Sequence, residues 1–171
     1  MKIINGLILL VLFMGLNVQA KVLQIAEHGF IVENTIQTAH NSEFVWAKLV
    51  KGIDKWWPKD HTWWGQQGQL SIQTFAGGCF CETSGDKSAE HMRISFVEPN
   101  KILRMTGGLG PLQEMGMYGA LNWTLSANNG ATLVTLTYRV SGINPDGFEK
   151  LAPIVDKVQT MQLNQLKKYL E

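Results

Sequence analysis

Cys79 and Cys81 stand two apart in Cys79-Phe80-Cys81-Glu82. On an extended strand, residues i and i+2 project from the same face, so these two thiols form a possible redox pair. Extended i and i+2 positions lie near the upper Cα limit for a disulfide, which favours two buried thiols over a bridge. A thiolate metal site would need about four ligands, and His28, His40, His61 and His91 show no HxH or HxxxH spacing. His61, Glu82, His91, Glu114, Tyr118 and Asp156 could each act as general acid or base if enclosed. Of these, Glu82 and Tyr118 are the catalytic candidates, and Glu82 would aim inward toward Arg104. His91 and Arg93 alternate with Met92 and Ile94, so that pair should face solvent. No GxSxG or HExxH motif appears. The expectation is a protein without metal or cofactor that binds its ligand without catalysing a reaction.

Aromatic residues offer binding chemistry instead. Trp56-Trp57 and Trp63-Trp64 flank Pro58-Lys59-Asp60-His61. Indoles combine an apolar body with one polar edge and suit a cavity mouth, where Trp57 and Trp63 are the candidates. The competing role is to lock short helices onto a sheet rim. Gly107-Gly108-Leu109-Gly110-Pro111 lacks the phosphate-loop pattern. It would instead let a sheet bend and place Leu109, Leu112 and Met115 over a cavity.

The elements that must position these groups follow from periodicity. Phe30, Val32, Asn34 and Ile36 alternate with polar neighbours and predict a first strand. Asn41-Ser42 caps a helix with Val45, Trp46, Leu49 and Val50 on one face, ending at Gly52; a second short helix, 53–57, stops before Pro58. Short strand 61–64, long strand 69–83 with a bulge or bend at Gly77-Gly78, and strands 90–98, 102–106, 118–127 and 132–140 follow. Asn128-Asn129-Gly130 reads as a tight hairpin turn. Asp146 and Glu149 have capping-box spacing before a long, broadly apolar C-terminal helix.

Thr38-Ala39 with Val45-Trp46, then Gly77-Gly78-Cys79-Phe80-Cys81-Glu82, then Gly107-Gly108-Leu109-Gly110-Pro111-Leu112, resemble the START-like, or SRPBCC, superfamily. Within it they are most similar to the branch named after an activator of a heat-shock chaperone ATPase. The resemblance spans about residues 28–171 and implies an α+β helix-grip fold. There, a curved antiparallel sheet of about seven strands wraps a long C-terminal helix, two short helices follow the first strand, and an apolar cavity lies between sheet and helix. Met92, Ile94, Phe96, Met105, Leu121, Trp123, Leu136, Tyr138, Val155, Val158 and Met161 are the inward-reading residues expected to line that cavity, with Trp57 and Trp63 at its mouth.

The 171 residues carry 15 Lys+Arg against 14 Asp+Glu. That balance argues against a nucleic-acid binder, which needs a clustered basic excess. Lys2, an apolar run from Leu7 to Leu16 and the small-residue end Val18-Gln19-Ala20 have the layout of a secretory signal peptide over residues 1–20. About ten strongly apolar residues fall short of the ~20 that a membrane span needs. Residues 21–171 are then one neutral domain, exported to a bacterial periplasm, with no membrane span after cleavage. Its expected partner is a small hydrophobic molecule or lipid. The alternatives are a polyketide-cyclase- or hydrolase-like enzyme using a buried carboxylate or Tyr in the cavity, and a chaperone-activator-like interaction domain.

Overall fold

The structure, a computed structural model, describes residues 19–171. The expected signal peptide falls outside the described residues except for Gln19 and Ala20, which open the first strand. Eight strands form one antiparallel sheet: β1 (Gln19–Ala26), β2 (Gly29–Thr38), β3 (Gln69–Ile72), β4 (Cys79–Ser84), β5 (Lys87–Glu98), β6 (Ile102–Gly107), β7 (Tyr118–Asn128) and β8 (Ala131–Ser141). Their order across the sheet is β1-β2-β8-β7-β6-β5-β4-β3. Two helices, α1 (Ser42–Lys51) and α2 (Ile53–Trp56), follow β2, a single turn α3 (Pro111–Glu114) follows β6, and α4 (Leu151–Leu170) closes the chain. This is the helix-grip arrangement.

Local chemistry accounts for the boundaries. The Asn41 side chain accepts the Phe44 N–H at 2.9 Å and caps α1, while Glu43 in the first turn and Lys48 and Lys51 in the last complement its dipole. Gly52 is required for close approach: a Cβ there would stand 2.6 Å from the Tyr169 ring. Asn129 and Gly130 both adopt left-handed backbone, at φ 48 and 81, as a two-residue turn of the type that matches strand twist requires.

The core lies between the sheet's inner face and the helices. Phe30, Val32 and Ile36 of β2, Leu121, Trp123 and Leu125 of β7, and Val134, Leu136 and Val140 of β8 are buried. Facing them, α1 buries Val45, Trp46, Leu49 and Val50, and α4 buries Leu163, Leu166 and Leu170. Each such side chain contributes about 1.5–3 kcal/mol of burial. Trp56 meets Trp123 edge-on at 5.9 Å and donates its indole N–H to the Leu49 carbonyl, so this indole fastens α2 to the sheet.

Four sequence expectations are corrected. β1 precedes the expected first strand; it is bulged between Val22 and Gln24 and leaves Leu23 and Ile25 exposed, so it lacks clean alternation. Residues 61–64 are not a strand but a connection between 3-10 turns Lys59–His61 and Gly65–Gln67, because a carboxylate rather than a neighbouring strand takes the Trp63 and Trp64 N–H groups. The long strand is two strands, and Gly77 at φ 91 belongs to the turn joining them. The residue preceding α4 is Lys150, with no side-chain cap.

Candidate functional site

A cavity of about 390 Å³ lies between the first half of α4, the 57–63 connection and the Leu109–Met115 segment. Leu151, Ile154, Val155 and Val158 of α4 form one wall; Leu109, Pro111, Leu112 and Met115 form the opposite one. Trp57, buried, and Trp63, 40% exposed, join the lining with Asp60, His61 and Thr62. Ile154 and Met115 are also exposed at 59% and 44%, as are Pro111 and Asp60, so the exposed part of the lining is apolar except for one carboxylate. No Lys or Arg lines the cavity.

Its first polar feature is a buried pair. Glu82 is fully enclosed; its carboxylate accepts the Trp63 and Trp64 backbone N–H groups, each at 2.9 Å, and lies 3.0 Å from His91 Nε2. The approach is tight enough that a Cβ at Gly68 would fall 2.1 Å from Glu82 Oε1. Burial holds the His91 pKa below 6.5, outweighing the opposing pull of Glu82. Burial therefore favours the neutral imidazole, whose Nε2 faces the carboxylate. No described residue hydrogen-bonds to Nδ1, and the ring lines the cavity. Trp63 stacks parallel to this ring at 6.5 Å and Phe80 packs beside it at 5.0 Å.

Tyr138 supplies the second. Its hydroxyl donates to the Gly107 carbonyl at 2.9 Å and accepts the Leu109 N–H at 3.0 Å, pinning the glycine-rich segment over the cavity. Desolvation pushes its pKa up to about 12. The third is Gln159, 1% exposed, whose Nε2 and Oε1 both lack a hydrogen-bond partner among the described residues. An unmet buried polar atom costs about 1–3 kcal/mol. Val155, Val158, Gln159 and Gln162 share one stripe of α4 at helical spacing.

Of the residues expected at the cavity, the fold brings Trp57, Trp63, Tyr138, Val155 and Val158 to its wall. Met92, Ile94, Met105, Leu121, Trp123 and Leu136 point inward but fill the solid core, and half-buried Met161 lies off the wall. Phe96 is corrected outright. A bulge between Ile94 and Phe96 reverses the alternation, leaving Phe96 41% exposed beneath the Arg104 guanidinium. Tyr118, 61% exposed, is not in the cavity. His91 is buried rather than solvent-facing, since β5 has one extra residue opposite Phe80 and Cys81, which turns His91 and Met92 inward together. Glu82 meets His91, not Arg104, which bonds Asn122. Cys79 and Cys81 are half-buried and disulfide-bonded, so they are a pair and not the two buried thiols favoured from their spacing. Their Cα atoms are 5.4 Å apart, closer than the roughly 6.6 Å of two extended residues, at the register shift between β4 and β5. Gln159 and Gln162 went unnoticed, though their spacing to Val155 and Leu163 marks them as inward-facing.

No family model and no curated protein sequence matches the chain. Solved structures do. CalU16 from Micromonospora echinospora superposes with TM-score 0.60 at 14% identity, over 91% of this chain and 85% of that one. A conserved protein of unknown function from Enterococcus faecalis gives 0.63 at 15% identity, over 90% and 77%. DynU16, from the dynemicin biosynthetic locus, gives 0.57 at 20% identity, over 82% of this chain and 46% of that one. These likenesses are of fold.

Proposed function

We propose that this is an exported START-like, SRPBCC-type domain whose cavity binds a small apolar or amphipathic molecule. The observation that carries this reading is the cavity of about 390 Å³ with its largely aliphatic and aromatic wall. That volume falls in the range of small-molecule sites. No helix among the described residues is long and apolar enough to cross a membrane. Because Trp57 and Trp63 line the cavity, a ligand reports itself through indole fluorescence. Titration with 1-N-phenylnaphthylamine should quench that emission, and native mass spectrometry of freshly purified protein should show bound apolar mass. Absence of both sinks the reading. Fractionation tests export: the mature protein should begin at Lys21 and leave the cytoplasm.

A second reading is favoured by the Glu82–His91 pair. A neutral imidazole oriented by a carboxylate, with its other nitrogen free, is a general base. The enzymatic alternative thus passes from Glu82 or Tyr118 acting directly to His91 acting and Glu82 orienting it. Turnover of a cavity-bound carbonyl substrate that persists in His91→Asn eliminates this reading. The chaperone-activator role stands behind both, since it makes no use of the cavity.

A further inference from the structure

We infer that the ligand enters head first and that its head is uncharged, a carboxamide pairing with Gln159 as donor and acceptor at once. This rests on the apolar-cavity reading and narrows its ligand class. Gln159 sits on the cavity wall at 1% exposure with both amide atoms unpartnered, whichever way the amide is turned. A carboxamide presents the complementary N–H and C=O on one edge and satisfies both atoms together. Four of the five exposed members of the lining are apolar, Trp63, Pro111, Met115 and Ile154, and the fifth is Asp60. Polar anchor inside and apolar rim outside orient an amphipath with its tail at the mouth.

Charge selects the head further. The lining holds Asp60 and no Lys or Arg, and fully buried Glu82 lies directly behind His91. An anionic head would enter a cavity with one carboxylate in its lining, a second behind His91 and no cation, and burying an uncompensated charge is strongly unfavourable. A cationic head at Gln159 would find neutral acceptors, the amide oxygen and His91 Nδ1, but no free carboxylate inside, since Asp60 is exposed and Glu82 already meets three donors. A neutral head meets neither obstacle.

Displacement of 1-N-phenylnaphthylamine from the full chain at pH 8 tests this with decanamide, decanoate and decylamine. Decanamide should bind at least about tenfold tighter than decanoate or decylamine, a ratio that needs no variant. Gln159→Leu and Gln159→Met should each weaken decanamide about tenfold, with the dye's affinity measured separately in each variant to convert displacement into affinity. Decanoate or decylamine binding as tightly as decanamide overturns the head-group inference, as does an unchanged decanamide affinity in both variants; the cavity reading survives either result. A dye that fails to bind the wild-type chain overturns both.

Discussion

The two halves of α4 lie in one molecule under opposite rules. Its C-terminal half presses Leu163, Leu166 and Leu170 into a dry core, and Tyr169 closes against Gly52. Its N-terminal half presents Leu151, Val155, Val158 and Gln159 to the cavity, with Glu82 and His91 among the polar groups nearby. Thr160 and Asp156 mark the change of regime, where both receive the side-chain N–H groups of buried Asn34, at 3.3 and 2.6 Å. The difference separates stability from function. Close packing gains from every methylene, whereas a cavity gives up packing and keeps unmet polar atoms whose only benefit comes through a ligand.

That contrast can be broken by substitution. Leu163→Ala should cost about 2–5 kcal/mol in denaturant unfolding, since it opens a void in the packed half. Glu82→Gln should cost about 1–3 kcal/mol, because an amide has one acceptor oxygen for the three donors that the carboxylate now meets. A melting temperature equal to wild type would show that the 61–64 connection is held by something else. Tyr138→Phe leaves the Gly107 carbonyl and Leu109 N–H without their partner. A loss of about 1–2 kcal/mol, with faster amide exchange at Leu109, is expected. In the cavity half the sign should reverse: Gln159→Leu, by removing two unmet polar atoms, should be neutral or stabilise by up to about 1 kcal/mol. A clear destabilisation there would erase the distinction between the halves.

The smallest effect is set by pH. His91 has a folded pKa below its ordinary 6.5, so the unfolded chain binds the proton more readily. Its contribution is complete above pH 6.5 and is lost as pH falls from there through the folded value. Thermal melts between pH 8 and 5 should show that decline, and His91→Asn should flatten it.

Much of the frame was legible in the residues. Alternation at Phe30, Val32 and Ile36, the Asn41 cap and the Asn129-Gly130 turn are local signals, each decided within a few positions of the chain. The inward face of β7 and β8 was legible for the same reason. What escaped was everything that depends on a neighbouring strand. Periodicity counts residues along one strand, whereas a bulge is a mismatch between two, and β5 carries two of them. One turned His91 inward and brought it to Glu82; the other turned Phe96 outward.

The sequence by itself therefore determined the order of most strands and helices, their apolar faces and the cluster of aromatic residues, because propensity, capping and alternation are short-range. The helix-grip frame was implied by the resemblance. Tertiary structure alone decided which of the inward residues fill space and which border it. It also joined Cys79 to Cys81, gave Glu82 its three donors and left Gln159 with none. Those outcomes turn on register shifts and on the path of the 57–63 connection, which long-range pairing sets and local preference does not encode.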